Sequence, residues 1–333
     1  MEIDAVVMWV DGNDQEWIKE KEKYSEKKAD DSNSSNRFRD WGLMKYWFRC
    51  IESYMPWIRM IHFVTWGHTP DFLRLDHPKL NIVNHQEIMP ESALPSFNAS
   101  AIEMNIHKIP GLAKHFVFFN DDMFVTHPLS VKYFFKNNKP CQYYAEIPVS
   151  FSGPPLKFQM LLVQDLRVLN NHFNKRESFK KFKKKYLSPK YALHDNLRSE
   201  ILHRLVPDSF LGFRNFHVPV PFLKSTFVDI WKKEPLLLME TTSHRFRDDA
   251  DVNQWLALWW QLASGNFTPQ KVNCRNFSTT ESNVDEVCKA IMNREYEMIC
   301  INDTGLENDY EVLAAKIAKA FESVVPQKSS FEK

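Results

Sequence analysis

Glycine is scarce in this chain, 8 residues of 333, and none of the glycine-dependent nucleotide motifs can be assembled from them. There is no Gly-x-x-x-x-Gly-Lys-Ser/Thr loop and no Gly-x-Gly-x-x-Gly, which excludes P-loop NTPases and ordinary dinucleotide enzymes as templates. A Gly-x-Ser-x-Gly elbow and a His-Glu-x-x-His helix are missing as well, setting aside α/β-hydrolases and zincin proteases. Cysteine is sparse: Cys50, Cys141, Cys274, Cys288 and Cys300 are scattered, odd in number and without a Cys-x-x-Cys pair. That excludes a zinc ribbon, argues against a disulfide framework, and makes a reducing, cytoplasmic setting the expectation. No apolar run approaches the ~20 residues of a membrane span. Met1 leads almost directly into the apolar residues 3–10, with no basic n-region or small-residue cleavage site, so no secretory signal is expected. An excess of either charge is absent too. Lys and Arg number 43 against 42 Asp and Glu, which excludes a globally cationic nucleic-acid binder.

What the chain has is apolar and aromatic mass. Hydrophobic residues reach 44%, with 26 Phe and 10 Trp, enough for a sizeable core in one large domain or two ordinary ones. In the first 140 residues, strands are expected at 3–10, 61–65, 80–83 and 115–119. A helix runs from about residue 43 to Pro56 and another from an Asn98 cap to His107. Residues 20–36, rich in Lys, Glu, Asp and Ser, read as a loop. Strands separated by helices imply an α/β fold with a mainly parallel sheet covered on both faces. Beyond residue 140 the pattern is more helical. It includes a basic stretch at 175–186, a Pro-rich passage at 218–221 before a helix around Phe227, and a Trp-rich helix expected over 249–263. A last strand at 296–301 is expected to rejoin the first sheet before a C-terminal amphipathic helix. One composite domain follows, with 1–140 and 291–333 as its α/β core and 141–290 as a helical elaboration.

In open α/β sheets, ligands bind beyond the carboxyl ends of the strands. Here those ends carry Asp11-Gly12-Asn13-Asp14, His85, Asn120-Asp121-Asp122 and Asn302-Asp303. Asp and Asn also end strands simply because they favour turns. Asp121 and Asp122 are the sharper signal, since adjacent carboxylates after a wholly apolar strand repel unless a cation lies near. They suit a hard divalent ion such as Mg²⁺ or Mn²⁺ bridging phosphates. Glu103 and His107, four apart on one helix face, read either as base and orienting partner or as a surface ion pair. His217 precedes prolines that would stiffen its loop. Arg247, in His244-Arg245-Phe246-Arg247, offers a fork for phosphate oxygens or a structural ion pair. The 175–186 stretch reads as a solvated basic face, or as a contact for an anionic membrane surface or a polyanionic chain.

Residues 3–14 (Ile-Asp-Ala-Val-Val-Met-Trp-Val-Asp-Gly-Asn-Asp) resemble the first signature region of the Stealth family of sugar-1-phosphate transferases. Arg37-Phe38-Arg39-Asp40 through residues 56–65, Leu94-Pro95-Ser96-Phe97-Asn98 with Glu103, and residues 118–122 resemble the second. His217-Val218-Pro219 with residues 241–247 is similar to the third, and residues 299–303 to the fourth. The resemblance spans the chain nearly end to end and looks bacterial, without the insertions and anchors of the animal N-acetylglucosamine-1-phosphotransferase. It implies a Rossmann-like sheet of the nucleotide-sugar transferase type. It implies transfer of a hexose-1-phosphate from a nucleotide-sugar, commonly a UDP-sugar, to a hydroxyl of a polysaccharide or lipid-linked glycan in capsule or exopolysaccharide synthesis. The setting would be cytoplasmic, at the inner face of the cell membrane if 175–186 makes contact. The alternative is a metal-dependent glycosyltransferase moving the sugar alone. Carried over residue by residue, the nucleotide pocket is Trp9, Val10, Asp11 and Gly12, with Arg37 near the phosphates. Glu103, Asp121, Asp122, His217, Arg247 and Asn302 match active-site positions. The roles implied are Asp121 and Asp122 for the metal, Arg247 for the phosphoryl group, and His217 or Glu103 as general base. Trp66 stands where the family often has a small or polar residue.

Overall fold

Ile3, Val6 and Val7 are apolar, β-branched and wholly buried, and they form the middle strand of the larger sheet in a computed structural model. The structure describes residues 1–25, 38–151, 156–304 and 310–333. In chain order the strands are β1 (Ile3–Met8), β2 (Ile61–Thr65), β3 (Leu80–Asn84), β4 (His115–Asn120), β5 (Met123–Val125), β6 (Phe135–Lys136), β7 (Lys139–Gln142), β8 (Val220–Leu223), β9 (Thr268–Pro269), β10 (Cys274–Thr279) and β11 (Met298–Asp303). The larger sheet has the order β3-β2-β1-β4-β8. Its first four strands are parallel, as the alternation of strands and helices predicts, and β8 runs antiparallel along β4. Val220 and Pro221, the end of the Pro-rich passage expected at 218–221, therefore open an edge strand, where Pro221 costs no central ladder bond.

The last strand departs from expectation. β11 does not rejoin the larger sheet but lies between β10 and β5 in a separate three-stranded sheet. The reason is local: β1 and β8 already occupy both edges of β4. The chain leaves β4 through Asp121 and Asp122, and β5 then offers an edge to β11, pairing Met123 with Cys300. β10, which is not apparent from the sequence pattern, covers the other side of β11 in parallel.

One buried cluster nevertheless joins both ends of the chain. It includes Val7 of β1, Trp47 of helix Met44–Tyr54, Phe119 of β4, Ile291 of helix Val284–Met292, and Ile317 and Phe321 of helix Tyr310–Val324. Two boundaries move. The expected loop at 20–36 is helical as far as Tyr24, in helix Gln15–Tyr24, because the Asp14 carboxylate caps the Trp17 N–H at 2.8 Å; residues 26–36 lie outside the described ones. The Trp-rich helix starts at Gln254, not at 249, because Asn253 caps it by accepting the Trp255 N–H at 2.9 Å. Among the described residues no helix is long and apolar enough to cross a membrane.

Candidate active site

The parallel register sets Met8 beside Asn120, so the carboxyl ends of β1 and β4 open onto one cleft. β8 carries the next component. Val220 pairs with Phe118, which brings the residues just before β8 up to the end of β4. His217 is held there with a left-handed backbone (φ 50°), a conformation uncommon outside glycine and a mark of local constraint. Its Nε2 lies 3.4 Å from the Asn120 side-chain nitrogen, and its Nδ1 lies 3.4 Å from the Cys300 sulfur. That sulfur donates to Asp122 Oδ2 at 3.1 Å. A chain His217–Cys300–Asp122 results.

Ligand atoms of Asp122, His217 and Cys300 lie within 4.8 Å of one another, and Asp122 Oδ1 is buried with no hydrogen-bond partner among the described residues. An orphaned carboxylate oxygen beside an imidazole and a thiol is a donor set that fits a divalent cation. Asp121, expected as a second metal ligand, is not one of these three. Burial first, then Asp122 and Asp40, hold its carboxyl well above the usual carboxylate range. Asp40 is itself raised by burial, with Asp11 adding to the effect. The acidic residues that follow β1, lie in the 38–42 segment and follow β4 thus sense one another, the electrostatic signature of a site made for positive charge.

A second group is bonded to the two residues before Trp255, whose ring meets the His217 imidazole edge-on at 6.3 Å. Helix Ala99–Asn105 carries Glu103, which accepts the Gln254 N–H at 3.2 Å. Asp165 accepts the adjacent Asn253 N–H at 3.2 Å. Both carboxyls lie at the start of helix Gln254–Ala263, where backbone donors point outward. Burial raises Glu103 to about 7, against the lowering influence of the Gln254 N–H and the Arg247 guanidinium. Burial also lifts Asp165 well above its ordinary value, and Glu103 adds to the effect. The segment bearing Arg247 is bound to helix Ala99–Asn105 through Asn98, whose amide donates to the carbonyls of His244 and Phe246 and to Asp251.

Of the expected residues, Asp122 and His217 share one cluster, and Glu103 and Arg247 share the other. Asn302 lies two residues beyond Cys300 on β11, so strand alternation puts it on the same face. The Asp11 N–H donates to His68 Nε2 at 2.9 Å, and His68 packs edge-on against Trp9 at 5.1 Å. Val10 is half-buried between them. Gly12 is required by space, since a Cβ there would lie 1.9 Å from the Phe38 carbonyl oxygen. Arg37 lies outside the described residues. The Glu103–His107 pairing on a helix face does not form. His107 falls in a 3₁₀ turn, where its ring stacks on Phe227 and its Nδ1 contacts the Met104 carbonyl. Cys300, Asp165 and Trp255 are components that sequence reasoning missed. Only Cys300 had a usable signal, its two-residue spacing from Asn302 on a predicted strand.

Family models described as Stealth protein conserved region 1 and conserved region 2 match residues 1–29 and 37–143. Over 338 residues the chain is 36% identical to the capsular polysaccharide phosphotransferase WcwK of Streptococcus pneumoniae, covering 100% of this chain and 98% of that protein. Over 337 residues it is 34% identical to the exopolysaccharide phosphotransferase cps2G of Lactiplantibacillus plantarum, covering 100% and 96%. Among solved structures, the galactosyltransferase LgtC with donor and acceptor sugar analogues matches at 11% identity and a TM-score of 0.33, over 98% of this chain and 96% of that one, a likeness too slight to define the fold.

Proposed function

The chain belongs to the Stealth family, and from that membership and the chemistry of its cleft we propose that it is a polysaccharide phosphotransferase using a nucleotide-sugar donor. The group moved is a hexose-1-phosphate, most naturally from a UDP-sugar, and the acceptor is a hydroxyl of a growing or lipid-linked glycan. The acceptor oxygen forms a bond to the sugar-bearing phosphorus as the bond from that phosphorus to the bridging oxygen breaks. Nucleoside monophosphate leaves, and the hydroxyl proton passes to a base on the protein. We read residues 1–140 and 291–333 as the core of one composite catalytic unit and 141–290 as the part that completes its site. The positions of His217, Arg247 and Trp255 within that stretch support this.

The observation that carries the proposal is the cation-seeking cluster at Asp122 and His217, which Trp255 meets, together with the Glu103–Arg247 group bound at the neighbouring Gln254. Phosphoryl transfer is catalysed chiefly by positioning and electrostatic stabilisation, and these are its parts. A divalent ion held by Asp122, with His217 and Cys300 beside it, would neutralise pyrophosphate charge; Asp121, its carboxyl held well above the usual range until a cation arrives, lies next to it in the chain. The imidazole nitrogen favours Mn²⁺ over Mg²⁺, which prefers an all-oxygen shell. Arg247 offers parallel N–H donors to the oxygens of the transferred phosphoryl group. Trp9, Val10, Asp11 and Gly12 form the wall for the nucleotide, with Asn302 and Arg37 completing the donor site. Trp66, stacked obliquely on His68 at 5.7 Å, shapes the sugar end. Proton removal falls to Glu103 or His217.

Incubating the protein with a panel of nucleotide-sugars, Mn²⁺ or Mg²⁺ and a glycan acceptor, then identifying the released nucleotide, tests the proposal. Monophosphate is expected. Release of diphosphate would instead make the protein a glycosyltransferase moving the sugar alone.

A further inference from the structure

Helix Leu193–Leu205 is inside out. Its buried side is polar. Asp195 and Ser199 are wholly buried; Asp195 accepts from the Tyr143 hydroxyl at 2.8 Å and pairs with Arg214 at 3.1 Å, while Ser199 accepts the Glu146 N–H at 3.1 Å. Its water side carries Leu193, Leu197, Ile201 and Leu205, which are 83%, 59%, 46% and 73% exposed. A spacing of four keeps them on one face, as a ridge about 18 Å long at the helical rise. Single exposed leucines need no explanation, but a continuous ridge does.

The neighbouring helix Lys175–Tyr186 supplies the charge. It holds seven cations and one carboxylate. Not all of them are a solvated face, since Lys175 is wholly buried on Glu146 at 2.8 Å and Lys185 donates to the carbonyls of Gly265 and Phe267. Lys180, Lys181, Lys183 and Lys184 face water. The two helices meet where the Phe179 ring stacks on His203 at 3.7 Å, and Lys183 Nζ lies 6.0 Å from the centre of that same ring. The lysine-bearing helix therefore packs beside the leucine-bearing one, on the His203 side of it.

We propose that these two helices form a peripheral membrane-binding face, with the leucine ridge entering the lipid interface and the lysines meeting anionic headgroups. A bare apolar ridge would suit a protein partner equally well. The water-facing lysines of the adjoining helix select an anionic lipid surface, to which each nearby cation adds attraction. The face is also mechanically joined to the cleft. Tyr143, which holds Asp195, packs edge-on against Phe216 at 5.2 Å, and Phe216 precedes His217 in the chain. Docking would thus fix how the cleft faces the bilayer. The inference stands apart from which group is transferred.

Flotation of the full chain with vesicles of phosphatidylcholine, alone or with about one third phosphatidylglycerol, tests it. The wild-type protein is expected to float with the anionic vesicles, at least about tenfold more than with neutral ones, and less at high salt. The double variant Leu197→Glu, Ile201→Glu should remain at the bottom at every salt concentration, with unchanged melting temperature because both side chains face water. The variant Lys180→Glu, Lys181→Glu, Lys184→Glu should retain only the weak binding seen with neutral vesicles. The proposal is overturned if the wild type ignores anionic vesicles, or if Leu197→Glu, Ile201→Glu binds as well as wild type. It is equally overturned if light scattering finds a wild-type dimer that this double variant converts to monomer, since a second copy then covers the ridge.

Discussion

The thiol of Cys300 lies 3.1 Å from Oδ2 of Asp122 and gives the carboxylate its donor from across the sheet boundary. Burial first, and the Asp122 charge second, hold that thiol well above the ordinary cysteine range, so it stays protonated and can donate. A hydrogen bond to a charged group contributes about 1.5–3 kcal/mol. Cys300→Ala should therefore lower kcat for transfer by about tenfold or more, while Cys300→Ser, which keeps an O–H donor, recovers most of it. Steady-state kinetics of the two variants check this. Equal rates for Cys300→Ala and wild type would reduce the residue to packing. The folded protein should also resist iodoacetamide at Cys300, as read by mass spectrometry.

Metal dependence follows from the same cluster. Removing divalent ions with a chelator should abolish transfer, and Mn²⁺ should restore it at lower concentration than Mg²⁺, since imidazole is a poor partner for Mg²⁺. Asp122→Asn should remain folded, with circular dichroism unchanged, yet fail to recover activity with either ion. Recovery equal to wild type would remove Asp122 from the metal site.

Glu103 makes a prediction in pH. Its pKa is raised to about 7, chiefly by burial. If it takes the acceptor proton, the active form is the carboxylate, and log kcat/KM rises with pH until about 7 and then levels. Arg247→Ala removes a cation that lowers this value, so in its residual activity the acid limb moves to higher pH. Should His217 be the base, Glu103→Gln leaves the acid limb where it was. The stability sign is opposite to that of a salt-bridged carboxylate. Folding favours protonated Glu103, so its contribution is full at pH values below the ordinary glutamate range and is lost as pH rises through about 7. Glu103→Gln should therefore melt higher than wild type at pH 8, the difference fading towards pH 4.

How far the sequence discloses this arrangement depends on the range of each interaction. β1 to β4 are legible because runs such as Phe116 to Phe119 and Val6–Val7 can only be buried strands, and a strand–helix alternation leaves parallel pairing as the outcome. The helix cap at Asn98 is legible too, set by a side chain reaching two residues along. Residues joined across long separations are a different matter. Nothing near Cys300 announces Asp122, 178 positions away, and nothing near Asp165 announces Asn253. β11 was misplaced for the same reason, because its pairing was decided by which edges of β4 were already taken.

Two glycines of the donor side separate space from backbone freedom. At Gly12 a Cβ would sit 1.9 Å from the Phe38 carbonyl oxygen and 2.6 Å from its carbon, so the main chain itself must shift. That carbonyl belongs to a segment anchored by the Phe38 ring against Trp17 at 4.9 Å, and it cannot retreat alone. At Gly42 the space is open, but φ is +66°, which an alanine adopts at a cost of about 1–2 kcal/mol. Gly12→Ala should therefore cost about 1–3 kcal/mol through overpacking and, by displacing the Asp11 loop, raise the donor KM. Gly42→Ala should lower the melting temperature comparably yet leave the donor KM near wild type. Thermal melts and donor titrations on both variants decide it, and an unchanged donor KM in Gly12→Ala would place the nucleotide elsewhere than against residues 9–12.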